Sequence, residues 1–138
     1  MKTSKNMIKF EKNLLDNLSA QAKESPRLRA TMDLRTTPND MSQRVLNALE
    51  PGTVVPIHRH RNTTEVVVLI RGKVKQTLYD DNGKITSSFI VEAGSDLCGY
   101  SIDAGQWHTT ECLVSGTIFC EAKDGAYEPL SSNDLMEK

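Results

Sequence analysis

The stretch PIHRHRNTTE, residues 56–65, contains two of the chain's three histidines and ends with a glutamate. His58 and His60 are two residues apart, so on a β-strand their side chains leave the same face, with backbones about 6.6 Å apart. Two imidazoles at this spacing can converge on one metal ion at about 2.0–2.1 Å per bond. Glu65 follows the short segment RNTT at the head of an apolar run, and a hairpin there would bring its carboxylate back towards the imidazoles. The stretch therefore predicts two strands that meet at a metal site.

The third histidine, His108, lies in the segment DAGQWH, where Gly105 permits a tight turn. Every histidine of the chain and one carboxylate could then form a single three-His, one-Glu site. Such donors suit divalent Fe, Mn, Co, Ni or Zn, and an ion that accepts six ligands would keep two positions for water, substrate or dioxygen. A tetrahedral zinc ion would instead have a closed, structural site. The alternative interpretation is that the H-x-H pair is a polar, solvent-facing part of a strand.

The segments after this stretch are typical of short β-strands. EVVVLIRG is rich in β-branched residues and stops at a glycine, whereas KVKQTLYD alternates polar and apolar side chains. Between KVKQTLYD and ITSSFIVEAG, the pair Asn82–Gly83 predicts a hairpin turn. LCGYSIDAG and GTIFCEAK are further strand candidates, and SQRVLNALEPGTVVP fits a helix or a strand equally well. Several short strands separated by Gly and Asp turns predict an all-β barrel or sandwich.

The residues before this β region predict a helix followed by an irregular arm. The segment IKFEKNLLDNLSAQAKES carries an apolar stripe at four-residue intervals, which is typical of a helix: Phe10, Leu14, Leu18 and Ala22. Pro26 ends the helix because the residue before a proline is pushed out of the helical region. We predict three parts: a helix and arm packing on the barrel over residues 1–40, the barrel over 41–128, and a polar tail over 129–138.

Composition and charge exclude several classes of function. The chain has 138 residues and a net charge of −1 without a block of like charges. Nucleic-acid binding requires a clustered basic footprint, which is missing. The longest apolar run, VVVLI, is far shorter than the roughly 20 residues of a membrane span, and the N-terminus has no apolar core of a secretory signal. Three cysteines without a C-x-x-C pair are typical of free thiols in a reducing compartment, so we predict a cytoplasmic protein.

The spacing around the histidines resembles the first signature motif of the cupin superfamily. Gaps of five, one, four and six residues separate its marked positions, and all of them agree: Gly52, His58, His60, Glu65 and Gly72.

The second cupin motif is matched at only two positions, Gly105 and His108. Asp103, Leu97 and Cys112 stand where that motif usually has proline, glycine and asparagine. The assignment of His108 as a ligand therefore depends on Gly105, on the three-residue step between them and on the lack of any other histidine.

A larger set of segments, in the right order, resembles the WbuC-type cupin-fold metalloproteins: SPRLR (25–29), QRVLNALEPGT (43–53), HRH (58–60), GQWH (105–108) and EAKDGAYEP (121–129). These are small bacterial proteins, several of which occur with genes for surface-polysaccharide synthesis. The resemblance covers residues 10–129 and departs at Ala126, where that family usually has proline. It implies a mainly β, double-stranded β-helix (jelly-roll) barrel, a homodimer, and one divalent metal per chain at His58, His60, Glu65 and His108. It supplies no reaction.

Four further residues are candidates for contact with a ligand. Arg27 and Arg29 in the arm could bind an anion, because guanidinium pairs bidentately with carboxylate or phosphate. Trp107 could stack on a sugar ring, and Tyr127 could act as an acid or base. Each has an alternative interpretation: solvated surface arginines, packing next to the site, and ordinary loop packing.

Three functions remain open at this point. The first is a metalloenzyme that isomerises, epimerises or oxidises a small polar substrate such as a sugar or nucleotide sugar. The second is a non-catalytic module in which the metal anchors a regulatory ligand, and the third is a scaffold with a structural metal. A metal-free sugar epimerase, with a His–Asp base and a Tyr acid, is a further alternative that the complete H-x-H-x4-E signature disfavours. Fold-level analogy alone does not decide among them.

Overall fold

The computed structural model describes residues 7–136. Two parts of the predictions lie outside the described residues: the start of the N-terminal segment (1–6) and the end of the polar tail (137–138). One helix, ten strands and a short 3-10 turn make up the described part. Their bounds are α1 Lys12–Glu24, β1 Arg29–Asp33, β2 Gln43–Leu49, β3 Ile57–His58, β4 Glu65–Arg71, β5 Lys73–Tyr79, β6 Ile85–Glu92, β7 Gly99–Ile102, β8 Trp107–Cys112, β9 Thr117–Lys123, the 3-10 turn Ser132–Asp134 and β10 Leu135–Met136.

The strands form two five-stranded antiparallel sheets that pack face to face. One sheet has the order β1-β2-β9-β4-β7, and the other has the order β10-β3-β8-β5-β6. Consecutive strands repeatedly change sheet, as from β3 to β4 and from β7 to β8, which is the winding of a jelly roll. The predicted mainly β jelly-roll barrel with an N-terminal helix is therefore confirmed.

Strand β4 shows why the apolar run in its sequence is a strand with one inward face. Val67 and Leu69 are almost fully buried, whereas Val66 and Val68, which alternate with them along the strand, are nearly half exposed. Successive side chains of a strand point to opposite faces, so Glu65 shares the inward face with Val67 and Leu69. The interior core around them also contains Leu49, Val74, Val91, Cys112 and Phe119.

Helix α1 covers the outer face of the first sheet. Leu15, Leu18 and Ala22 form its buried stripe, packed against residues of β2 and β9. The backbone turns extended at Ser25, as expected before a proline. Phe10 was predicted to belong to the stripe, but it precedes the first helical residue and is 44% exposed.

The segment predicted to be an irregular arm contains a strand, β1. It pairs with β2 along its whole length, so that Arg29 lies opposite Leu49 and Asp33 opposite Val45. Pairing with β1 satisfies backbone groups that β2 would otherwise leave open at a sheet edge. The polar tail likewise contributes β10, which pairs with β3. The boundaries at residues 40 and 128 remain a prediction.

Other local predictions can be compared with the structure directly. The hairpin turn at Asn82–Gly83 is confirmed, since the Gly83 N–H donates to the Asp80 carbonyl at 3.1 Å. The ambiguous segment after residue 41 is a strand, β2. None of the helical segments between residues 7 and 136 has the length and apolar character that a bilayer crossing requires.

Candidate metal centre

The three histidines lie together at one end of the barrel interior. His58 ends β3 and pairs across the strands with His108 of β8. His60 follows in the loop after β3, where the Gly105 N–H donates to its carbonyl at 2.8 Å. The ring centroids are 4.3 Å apart for His58 and His108 and 5.0 Å for His58 and His60. One ring nitrogen from each histidine lies within 4.8 Å of the others.

Glu65 reaches this cluster by a different route from the predicted hairpin. Strands β3 and β4 belong to opposite sheets, so they form no hairpin, and the prediction of one is wrong. Glu65 instead extends from the inward face of β4 across the barrel, where its Oε1 lies 3.3 Å from His108 Nε2. Both residues are buried: Glu65 is 6% exposed and His108 is 3% exposed. Sheet-to-sheet packing, rather than a local turn, brings the carboxylate to the imidazoles.

Backbone carbonyls fix the orientation of two of the rings. Nδ1 of His58 lies 2.8 Å from the Pro56 carbonyl, and Nδ1 of His108 lies 2.9 Å from the Gln106 carbonyl. A carbonyl oxygen only accepts, so Nδ1 carries the proton in both rings and donates it. In the neutral ring Nε2 then keeps a free lone pair, and this is the arrangement that orients metal-binding histidines.

Burial also keeps two of the histidines neutral. It lowers the pKa of His58 to about 4, and repulsion from His108 adds to this effect whenever that ring is protonated. It lowers the pKa of His60 to about 4 as well, assisted by the charge of Lys123. Both rings are therefore unprotonated at neutral pH, which is the form that binds a metal ion.

A second carboxyl group, Glu121 on β9, lies beside Glu65. Burial and then the charge of Glu65 raise the pKa of Glu121 to about 7. Burial opposes ionisation of Glu65 too. The nearby imidazole of His108, which can donate only when it is protonated at Nε2, and the hydrogen bond with Glu121 outweigh burial and hold the pKa of Glu65 below its usual range. Lys123 Nζ lies 2.8 Å from Glu121 Oε2, and the Asn47 amide N–H donates to Glu121 Oε1 at 3.2 Å.

Glu121, Lys123 and Asn47 were not identified from the sequence. The signal that could have identified the first two is the pattern E-A-K at the end of the apolar strand TIFC. Two charged residues at alternate positions share a face with the preceding buried residues of the same strand.

The donor set fits a divalent metal ion. Glu65 Oε1 is fully buried and makes no well-aligned hydrogen bond to a described residue, although it lies close to His108 Nε2. Two lone-pair atoms therefore face each other, and a cation between them would satisfy both. Two nitrogens bound to one ion at about 2.0–2.1 Å are at most about 4.2 Å apart, so small side-chain rotations would bring the three histidines into bonding distance.

A cavity of about 630 Å³ opens onto this cluster. Its lining includes the four predicted ligands, His58, His60, Glu65 and His108, and three of the other candidates, Arg27, Arg29 and Tyr127. The structure thus brings seven of the eight predicted site residues to one cavity.

Two of the candidates have other contacts that the sequence did not reveal. Tyr127 is 58% exposed, and its ring centroid lies 5.6 Å from the guanidinium carbon of Arg35. Trp107 lines neither this cavity nor the neighbouring one. It is buried with Arg59 stacked over its ring at 4.4 Å, and its indole N–H donates to Asp81 at 3.1 Å. The structure does not bring Trp107 into the cavity, and its contact with a ligand stays a prediction.

Deeper in the cavity, two hydroxyl groups converge on one amide. The Tyr100 hydroxyl and the Thr110 hydroxyl donate to Gln76 Oε1 at 3.0 and 2.6 Å. Tyr100 and Thr110 line the cavity, and Gln76 is fully buried behind them. Since their protons are engaged, both hydroxyl oxygens present lone pairs that can accept hydrogen bonds from a ligand.

Comparisons with known proteins place this site in a wider context. A family model described as "Domain of unknown function (DUF6016)" matches residues 10–91. No curated protein matches the chain at a significant level.

Several solved structures share the fold. A recombinant oxalate oxidase in complex with glycolate superposes with a TM-score of 0.60 at 18% identity, over 76% of this chain and 55% of that one. KdgF from Halomonas sp. superposes with a TM-score of 0.59 at 12% identity, over 76% of this chain and 85% of that one. The capsular polysaccharide assembling protein CapF from Staphylococcus aureus superposes with a TM-score of 0.64 at 21% identity, over 76% of this chain and 28% of that one. This chain spans about half the length of the oxalate oxidase, and at these identities the likeness shows the cupin fold alone.

Proposed function

The chain belongs to the family described as Domain of unknown function (DUF6016), and from its site we propose a small metal-binding cupin protein that binds a small polar ligand. One divalent transition metal ion per chain, Fe, Mn, Co, Ni or Zn, would be held by the three imidazoles and the carboxylate: His58, His60, His108 and Glu65. Neutral nitrogen donors with one carboxylate suit these ions.

One observation carries the proposal: buried lone pairs point at each other. With Nδ1 bonded to a carbonyl, Nε2 of His108 faces Oε1 of Glu65 at 3.3 Å. Nε2 of His58 is oriented by the same kind of bond on the neighbouring strand. A proton on His108 would satisfy one such contact, whereas a divalent ion would satisfy every donor at once. Unpartnered buried polar atoms are costly, so the arrangement favours a bound cation.

The cavity favours a ligand site over a purely structural metal. A structural ion is enclosed by its protein ligands, but here the histidine cluster opens onto about 630 Å³. When bound, the ion would act as a Lewis acid on an oxygen of the ligand. The chain itself would orient the ligand through the Tyr100 and Thr110 hydroxyls. Glu121, beside the proposed metal-binding carboxylate, is a group that can carry a proton near neutral pH in the metal-free site.

A sugar or nucleotide sugar is the ligand that we propose. Its hydroxyl groups would donate to the lone pairs of Tyr100 and Thr110. One fold relative is named as a capsular polysaccharide assembling protein, which is in line with a link to surface-polysaccharide synthesis. Membership of the WbuC-type proteins, a homodimer, a cytoplasmic location and Tyr127 as an acid or base are parts of the same proposal.

The metal-free epimerase alternative has less support from the geometry. That mechanism needs an aspartate to orient the histidine base, whereas the Nδ1 atoms of His58 and His108 are oriented by backbone carbonyls. An active preparation that contains no metal would favour this alternative over the proposal.

The test is metal content by elemental analysis, on protein purified without a histidine tag and without chelator. We expect about one transition metal ion per chain, and we expect the double variant His58→Ala, His108→Ala to lose it. Glu65→Gln should weaken metal binding, whereas Glu111→Gln, which alters an exposed carboxylate on the outer face of β8, is the matched control. A folded double variant with full metal content would falsify the ligand assignment.

A second measurement separates an enzyme from a binding module. The metal-loaded protein is incubated with nucleotide sugars, and both binding and product formation are followed. Turnover would identify an enzyme, and metal-dependent binding without turnover would identify the non-catalytic module.

A further inference from the structure

We infer that the ligand of this cavity is elongated and carries an oxyanion, a carboxylate or a phosphate, that binds to Arg27 and Arg29 at the end of the cavity remote from the histidines. The inference rests on the proposed function, because it describes the other end of a ligand whose polar part lies at the metal. The anionic site itself needs no metal and can be tested without one.

Arg27 and Arg29 differ from the other cations of the cavity because neither has a carboxylate partner among residues 7–136. The remaining cationic side chains of the lining are each within ion-pair distance of a carboxylate: Arg35 with Asp33 at 2.7 Å, Arg44 with Asp40 at 3.0 Å and Lys123 with Glu121 at 2.8 Å. Both arginines line the cavity, and within residues 7–136 their guanidinium groups keep donors available for a ligand. Such groups bind carboxylate and phosphate bidentately.

The backbone between the two arginines is held in an unusual conformation. Leu28 has φ +58, the one positive φ at a non-glycine residue in the described part of the chain. Its N–H donates to the Ser25 carbonyl and its carbonyl accepts from the Glu50 N–H, both at 3.0 Å. The Thr53 hydroxyl donates to the Arg27 carbonyl at 2.8 Å.

These bonds tie the turn to the loop after β2 and fix where both arginine side chains begin. Strained backbone that the surroundings hold in place is typical of functional positions. A rigid turn also reduces the ordering that a bound anion would require.

The register of the first sheet separates this turn from the metal centre. Arg29 lies opposite Leu49, which lies opposite Thr117 at the start of β9. Glu65 lies opposite Lys123 at the end of β9. The six residues from Thr117 to Lys123 correspond to about 20 Å along the strand.

The register places the backbones of Arg29 and Glu65 farther apart than one arginine side chain reaches, so we expect that a single small anion does not contact both ends. An elongated molecule can, and the cavity volume lies within the range of about 300–1,000 Å³ of sites for such ligands. The arrangement therefore favours a ligand with its oxyanion at one end and its metal-binding group at the other.

The test follows the arginine side chains by NMR while inorganic phosphate or acetate is added to the full chain. We expect saturable shifts of the Nε–Hε signals of Arg27 and Arg29, and no such shift with chloride at matched ionic strength. Arg71, which pairs with Asp16 on the outside of the barrel, is the internal control. Tighter binding of phosphate identifies a phosphorylated ligand, and tighter binding of acetate identifies a carboxylate.

The double variant Arg27→Gln, Arg29→Gln should lose phosphate binding at least about tenfold, because charge-assisted hydrogen bonds are lost. Lys75→Gln, a change at an exposed residue on the outer face of β5, should leave it unchanged. Unsaturable shifts, or equal shifts at Arg71, overturn the anionic site. So does a folded double variant that binds phosphate as well as the unmodified chain.

Metal content separates the two proposals. In the arginine double variant it should stay at the level of the unmodified chain. Loss of phosphate binding with metal retained supports the anionic site, whereas phosphate binding by a chain that never takes up metal leaves the anionic site standing and refutes the metal centre. In protein loaded with Mn²⁺, the ³¹P relaxation of bound phosphate should show that the phosphorus lies beyond direct coordination. Direct coordination would refute the two-ended arrangement.

Discussion

The neutral rings of His58 and His60 in the candidate metal centre lead us to predict a specific dependence of stability on pH in the metal-free protein. Both His58 and His60 have a pKa of about 4 in the folded chain, mainly because of burial, compared with about 6.5 when unfolded. Between these values the unfolded chain binds protons that the folded chain does not. Acidification through this window therefore favours unfolding, and stability should fall as pH decreases from about 6.5 to 4.

The magnitude follows from the 1.36 kcal/mol that corresponds to one pKa unit. At pH 5 the solution lies about 1.5 units below the pKa of an unfolded histidine. This difference corresponds to a loss of about 2 kcal/mol in the free energy of unfolding for each fully buried histidine. Because His60 is less buried than His58, water screens part of its shift. The two histidines together should therefore lower the free energy of unfolding by about 2–4 kcal/mol between pH 7 and 5. This is a large part of the 5–15 kcal/mol that stabilises a typical domain.

Glu121 contributes with the opposite sign. Its pKa is raised to about 7, above the ordinary value, so the folded chain takes up this proton first and gains stability on acidification. The comparison must therefore be made between two proteins that share this background. The double variant His58→Gln, His60→Gln retains Glu121 and removes both titrating rings.

The assay is urea denaturation at pH 5, 6 and 7 in the presence of a chelator. The free energy of unfolding of the unmodified chain, relative to that of the variant, should fall by about 2–4 kcal/mol from pH 7 to 5. A difference between the two proteins that stays constant over this range would refute the view that burial holds these rings neutral. A constant slope of the denaturation curves checks that both proteins unfold in one step.

Three further predictions concern packing, the backbone and the metal. Leu18→Ala should lower the free energy of unfolding by about 2–5 kcal/mol, because Leu18 lies on the buried face of the helix and is 2% exposed. Phe10→Ala, at a 44% exposed position, should lower it by less than about 1 kcal/mol, and urea denaturation measures both. Gly72→Ala should cost more than about 2 kcal/mol, because φ is +82 and a Cβ would lie 2.7 Å from the Thr117 Cα. Gly94→Ala shares the positive φ but meets nothing within 4 Å, so a loss as large as that at Gly72 would contradict the steric argument. Glu65→Gln should reduce metal affinity at least about tenfold, since it removes the charge of a proposed ligand. Competition with a chromophoric chelator measures this affinity, and an unchanged value would contradict the assignment of Glu65.

Much of the fold was predictable because its signals are local. The alternation in β5, the hairpin turn at Asn82–Gly83 and the end of the helix before Pro26 each depend on neighbouring residues. The elements that were missed are those that exist through partners distant in the sequence. Strand β1 is polar and irregular as a sequence, and it becomes a strand because β2 offers an open edge.

The site shows the same division. The H-x-H pair and the glutamate five residues later could be recognised by spacing, and the structure brings these side chains and His108 together. The route was predicted incorrectly, because a local hairpin was expected where Glu65 instead comes from the opposite sheet. Lys123 and Glu121 escaped notice because a charged pair at the end of an apolar strand is unremarkable until the strand's inward face is known.

The amino-acid sequence by itself determined which donor atoms exist and how they alternate along the strands, since side-chain chemistry and the two-residue period of a strand are local properties. Only the tertiary structure decided which donors meet. The packing of two sheets places Glu65 opposite the histidines and buries His58 and His60 so that they stay neutral. Among residues 7–136 it also leaves Arg27 and Arg29 of the same cavity without a carboxylate partner. Burial and long-range distance are properties of the assembled sheets, and these set the charge state and the partners of each group.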